Sequence, residues 1–149
     1  EDRQGKPFVG ASGQLLDKML ASIHLDRSTV YITNILPWRP PGNRTPTPEE
    51  LAMFLPMIKQ HIKLVAPKMV VTLGGASTKV MRGVSDGILK LRGQWGHYDN
   101  DGTEIPMLAM LHPAYLLRTP AQKGLTWKDL RQLHHKAHAL KLKYLDQSR

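Results

Sequence analysis

Apolar residues along the chain fall into alternating periods. Leu15, Leu16, Met19, Leu20 and Ile23 share one helical stripe, which predicts an amphipathic helix entered through Gly10, Ser12 and Gly13 with Ser12 as its N-cap. Val30-Tyr31-Ile32-Thr33 is short, β-branched and uncharged, which predicts a strand buried on both faces, with Asn34 at its C-terminal end. Thr47-Pro48-Glu49-Glu50 predicts a helix start: threonine at the N-cap, proline at N1 and glutamate at N3 to close a capping box. Leu51, Phe54, Leu55, Ile58, Ile62 and Val65 continue that helix, Pro56 should kink it, and Pro67 stops it. Met69–Leu73 reads as a second buried strand, running into Gly74-Gly75-Ala76-Ser77 and a short helix to about Met81.

Between Gly83 and Ile105 the pattern shortens and glycine punctuates it. Ile88–Leu91 and Trp95–Tyr98 are expected as hairpin arms, with a further turn at Asp99-Asn100-Asp101-Gly102. Met107–Leu111 is a third buried strand; Pro113 ends it because proline has no N–H for the ladder, leaving His112 where the strand leaves the sheet. In the last helix Thr126 is expected as cap, with Trp127, Leu130, Leu133, Ala137, Leu140 and Tyr144 turned inward. Strands alternating with helices predict one α/β domain over residues 1–149, a parallel sheet between helical layers.

Composition narrows the chemistry. With 149 residues, 41 % of them hydrophobic, the chain has one domain's worth of core, and no apolar run approaches a membrane span, so a cytoplasmic protein is expected. It has no cysteine, which removes disulfides, thiolate metal sites and cysteine nucleophiles from its own repertoire. Lysine and arginine number 21 against 12 acids, a net charge of +9, which points to a polyanionic partner and first to nucleic acid. Arg118, Lys123, Lys128, Arg131, Lys136, Lys141 and Lys143 face a single acid, Asp129, over the last stretch; it reads either as a solvated helix face or as a contact surface.

Ligands of parallel α/β sheets bind outside the carboxyl ends of the strands. Asn34, Gly74-Gly75 and His112 stand at those ends, so a polar reader, an amide-rich turn suited to an anion and a His-Pro loop converge on one crevice. The loop from Arg39 through Pro48 holds four prolines and the two arginines Arg39 and Arg44: a rigid connector, or a segment ordered in advance to press on a partner. Beyond Pro113, Leu116, Leu117 and Arg118 are either a wedge or residues folded back on the core. An amide and an imidazole in one pocket, with Phe8 able to stack, suit a flat heterocycle turned out of a nucleic acid strand. His97 reads as a surface residue, and His134, His135 and His138 lack the carboxylate or second cluster a metal site needs.

These motifs together resemble the type 4 family of uracil-DNA glycosylases, through Glu1-Asp-Arg-Gln-Gly-Lys-Pro-Phe-Val-Gly10, Tyr31-Ile-Thr-Asn34, Trp38-Arg-Pro-Pro-Gly-Asn-Arg-Thr-Pro-Thr-Pro-Glu-Glu50, Leu73-Gly-Gly75 and His112-Pro-Ala-Tyr-Leu-Leu-Arg118. The resemblance implies a three-layer α/β/α sandwich with a central four-stranded parallel sheet. The first strand, and the family's Gly-Glu-x-Pro-Gly segment, are expected just ahead of Glu1, and a chain without them should be poorly active. It implies release of uracil from a flipped-out deoxyuridine in DNA, leaving an abasic site. Phe8 would stack on uracil, Asn34 would read its pyrimidine edge, His112 would donate to O2, and Glu1 would position water or stabilise the cationic sugar. Arg39, Arg44, Gly75, Ser77 and Arg118 become phosphate contacts, and Leu116 or Leu117 the wedge. The family normally carries a 4Fe–4S cluster on four cysteines, which this sequence lacks, so no cofactor and no metal are expected. Trp38 and Phe54 are expected to pack together in the cluster's place. The expected partner is uracil-containing DNA, with no membrane, and the expected state a monomer. A DNA-binding module without catalysis on the same fold, and a glycosylase for hypoxanthine or xanthine, are the alternatives.

Overall fold

The computed structural model describes residues 10–33 and 47–140. In order they form helix α1 (Ala11–Ser22), helix α2 (Pro48–Val65), strand β1 (Val70–Leu73), helix α3 (Gly75–Arg82), the short helix α4 (Ile88–Leu91), strands β2 (Trp95–Asn100) and β3 (Thr103–Met110), helix α5 (Pro113–Arg118), a 3-10 turn (Pro120–Gln122) and helix α6 (Lys123–Ala139). Among the described residues the sheet has three strands in the order β1-β3-β2. β1 runs parallel to β3, with Val70 opposite Met107 and Leu73 opposite Met110. β2 runs antiparallel to β3, with Trp95 opposite Leu108 and Asn100 opposite Thr103.

β3 is the centre of the molecule because its alternate residues bury themselves on opposite faces. Leu108 and Met110 join Leu111, Leu116, Leu130, Leu133 and the α1 residues Leu16, Met19 and Leu20 in one core. Ile105 and Met107 join Tyr98 in a second, packed against Ile62 of α2 and Met81 of α3. α1, α5 and α6 therefore cover one face and α2 and α3 the other. This is a three-layer α/β/α arrangement.

Several local expectations change. The described sheet is mixed rather than all parallel, because Asp101 and Gly102, with φ of +51° and +90°, make a tight turn that folds β2 back on β3. Ile88–Leu91 is one helical turn instead of a hairpin arm; a four-residue apolar run fits either, and here Lys90 and Leu91 both donate to the Gly87 carbonyl. Among the described residues, 30–33 form no ladder. Val30 and Ile32 still pack against the main core while Tyr31 is 57 % exposed, so the segment alternates like a strand without pairing like one. α1 starts one residue before Ser12, at Ala11, with Gly10 as N-cap. α6 starts at Lys123, so Thr126 lies inside it, buried, and Trp127 and Leu140 of the expected inward stripe are exposed. The capping box of Thr47 and Glu50 is present as read: Glu50 N–H donates to Thr47 Oγ1 over 3.1 Å and Thr47 N–H to Glu50 Oε1 over 3.0 Å.

Candidate functional site

The carboxyl ends of the parallel pair β1 and β3 bring Gly74 and His112 side by side. Gly74 N–H donates to the Met110 carbonyl over 2.9 Å, extending the pairing one residue beyond β1. Gly74 then turns with φ +89°, and a Cβ built on it would sit 3.2 Å from His112 Cβ. Only glycine takes this backbone without strain, and only glycine leaves the histidine its room. The turn is locked from behind. Thr78 Oγ1, fully buried, donates to the Gly74 carbonyl over 2.8 Å and shares a second 2.8 Å hydrogen bond with Thr72 Oγ1 of β1.

His112 is the N-cap of α5, and Pro113 occupies N1. Its Nδ1 accepts from Ala114 N–H over 3.0 Å. A nitrogen that accepts carries no proton, so in the neutral ring the hydrogen resides on Nε2. Ring position is thus fixed twice, by Gly74 on one side and by its own helix terminus on the other.

The amides of Gly75, Ala76 and Ser77 open α3 and have no acceptor within the helix, as helix geometry requires of a first turn. Expected as a phosphate contact, Ser77 points its hydroxyl elsewhere: Oγ donates to the Leu73 carbonyl over 2.8 Å and approaches the Gly74 carbonyl at 3.3 Å. Its amide, like that of Gly75, lies in the first turn of α3. Leu116 is 1 % exposed within the main core, and Leu117 is 44 % exposed beside the exposed Arg118. Fully burying a leucine is worth about 1.5–3 kcal/mol, so Leu116 stays in and, of the two, only Leu117 reaches solvent.

Asn34, Arg39 and Arg44 lie outside the described residues, as do Glu1, Phe8 and Trp38, so the expected Trp38–Phe54 packing has only its half-buried α2 member in view. Sequence reading brought Gly74-Gly75 and His112 to one crevice but missed the Thr72–Thr78 pair behind them. Two threonines six apart, one in a strand and one in the helix that follows its glycine turn, are the available signal. His97 is exposed, as read. The donor set does not fit a thiolate-held iron–sulfur cluster, since the sequence contains no cysteine, and among the described residues no three His, Asp or Glu are grouped to hold a metal.

A family model described as the uracil DNA glycosylase superfamily matches residues 1–131. Among similar proteins, one from Pyrobaculum aerophilum is 37 % identical over 134 residues, covering 87 % of this chain and 68 % of its own length. One from Archaeoglobus fulgidus is 39 % identical over 124 residues, covering 80 % and 62 %. A third, from Sulfurisphaera tokodaii, is 36 % identical over 142 residues, covering 92 % and 64 %. All three are named Type-4 uracil-DNA glycosylase, and this chain spans about two thirds of their length.

Proposed function

The chain belongs to the uracil-DNA glycosylase superfamily, and from that membership we propose that it hydrolyses the N-glycosidic bond of a flipped-out deoxyuridine in DNA, releasing uracil and leaving an abasic site. The observation that carries this reading is the His112 ring, held between Gly74 and the Ala114 amide at the carboxyl ends of the parallel strands. Uracil departs as an anion, and negative charge grows on its O2 as the C1′–N1 bond breaks. The bonding pair leaves with N1, and a donor already fixed at O2 needs no reorganisation at the moment of reaction. A neutral imidazole suffices for this, acting as a hydrogen-bond donor rather than a full proton-transfer acid.

The other roles within the base pocket fall to residues outside the described part. Phe8 stacks on the base, Asn34 hydrogen-bonds its pyrimidine edge, and Glu1 positions the water whose oxygen adds to C1′ of the cationic sugar. The water's surplus proton neutralises the departed uracil anion through solvent. Arg39, Arg44, Arg118 and the amides of Gly75 and Ser77 hold phosphates, and Leu117 enters the gap left by the flipped nucleotide. The activity belongs to a monomer in the cytoplasm, and no step passes through a metal or cluster.

The test is incubation with a labelled oligonucleotide carrying one uracil, followed by alkaline scission of the abasic product, with His112→Ala and Asn34→Ala run in parallel. Losing one preorganised donor costs about 100- to 1,000-fold in turnover, and each variant should fall by that order. Turnover unchanged in His112→Ala would remove the histidine from the mechanism. A wild-type chain that binds DNA but releases no base would mark the protein as a binding module, which its +9 charge would equally serve.

A further inference from the structure

The last helix carries a feature that the reading of the crevice does not use. Lys123, Trp127, Arg131, His135 and His138 recur at helical spacing on α6, and all are exposed. The single acid of the helix does not interrupt them. Asp129 is fully buried, bound by Arg92 through Nη2 at 2.6 Å and Nε at 3.0 Å. The exposed face from Arg118 to Leu140 therefore holds cations, imidazoles and one indole, and no carboxylate. Trp127 is 54 % exposed. It borders an open groove of ≈ 680 Å³ between α6 and the end of α1, lined also by Ser22, Ile23, Arg131, His135 and His138. His134 adds a buried Nδ1 with no hydrogen-bond partner, its ring tilted against His24 at 6.0 Å.

We propose that this stripe of α6 binds a single-stranded stretch of DNA flanking the target nucleotide, with the base stacked on Trp127 and its phosphates on Arg131 and Lys123. The inference rests on the proposed action on DNA and names the form of DNA taken. A cationic track interleaved with an exposed aromatic is the pattern that holds unpaired strands, because an unpaired base has a free π-face whereas a duplex buries its own. Lys123 follows the end of α5, where Leu117 and Arg118 are exposed, by one 3-10 turn. The stripe extends about 22 Å from Lys123 to His138, long enough for several nucleotides of an extended strand.

The experiment is a fluorescence titration of the whole chain with a uracil-free single-stranded oligonucleotide and with the same sequence as a duplex, at one fixed salt concentration. Tryptophan quenching and anisotropy of a labelled strand are read together. The wild type should bind the single strand more tightly than the duplex and be quenched. Trp127→Ala should weaken single-strand binding about tenfold, while Trp127→Phe should keep most of the affinity and lose the quenching. Arg131→Glu should weaken it as well, and Lys90→Glu, the same charge change on α4, should not. Equal affinity of wild type and Trp127→Ala for the single strand overturns the inference, as does a preference for phosphatidylcholine–phosphatidylglycerol vesicles over the strand. Excision from a uracil-containing strand is measured beside these. Strand binding that depends on Trp127 without any base release overturns the glycosylase reading alone. Base release with no effect of Trp127 on binding overturns this inference alone.

Discussion

Gly74 and Gly93 both stand at positive φ, +89° and +75°, yet a side chain at each would break something different. A Cβ on Gly74 presses on His112 at 3.2 Å, and one on Gly93 would fall 2.6 Å from Asp129 Oδ1, inside the buried ion pair with Arg92. Backbone strain adds about 1–3 kcal/mol in either case. Gly93→Ala should therefore lower thermal stability by more than that strain alone, since Asp129 must move within a packed interior, and single-turnover excision per folded molecule should hold. Gly74→Ala should show the reverse balance, with a small loss in melting temperature and a turnover loss approaching that of His112→Ala. Melting curves and single-turnover rates on both variants check the pair; equal effects on rate would detach Gly74 from the site. His112 and the glycine turn were legible because strand ends are marked by Pro113 and Gly74-Gly75. Leu116 and Leu117 were not separable, since successive helical residues differ by about 100° and their fate depends on where α5 begins.

At the level of elements, local patterns were readable where both partners of an interaction lie within a few residues. Thr47 and Glu50 show this, and Thr47→Ala should cost about 1 kcal/mol by losing the cap of α2, measured by denaturant unfolding. Ser12→Ala should cost much less, because α1 is capped at Gly10 and the Ser12 side chain makes no cap bond. Ser12 and Thr126 misled for the same reason: a capping residue inside a helix has the composition of one at its start, and only packing decides. The hairpin was misplaced because its second arm is the longer run Thr103–Met110, whose polar first half hides the strand. Its turn is tied to α2 by Lys63, whose Nζ lies 2.9 Å from Asp101 Oδ2. That hydrogen bond holds the Asp101 carboxyl below its ordinary 3.8 and the Lys63 ammonium above its ordinary 10.5. The depressed acid contributes fully above 3.8 and loses its contribution as pH falls through its lowered value. The raised base contributes fully below 10.5 and loses its contribution as pH rises through its raised value. Both groups are exposed, so the effect on global stability is small and NMR titration is the measurement. The Asp101 midpoint should move up in Lys63→Gln, and an unmoved midpoint would mean the pair does not form in solution.

For the molecule as a whole, the α/β class and the crevice at its strand ends were accessible from sequence because hydrophobic period and chain breaks carry them. Strand direction in the sheet was not, since antiparallel β2 depends on the two-residue turn at Asp101-Gly102, and an alternating run reads the same in either direction. The charge distribution was half legible: +9 is a count, but that Asp129 is withdrawn into the interior is a fact of packing. That withdrawal has a thermodynamic signature. Affinity for DNA should fall log-linearly with salt, with a slope set by the number of phosphates neutralised. Arg118 is exposed at the end of α5, next to the exposed Leu117. Removing it should reduce the slope by about one and weaken binding uniformly across sequences. Asp129→Asn is the informative comparison. It leaves the exposed face of α6 as it is and disturbs Arg92 behind it, so it should lower the melting temperature and keep the slope. Titrations at several salt concentrations decide the matter: a slope changed by Asp129→Asn as much as by Arg118→Ala would mean that net charge, rather than the particular face presented by α5 and α6, governs the encounter with DNA.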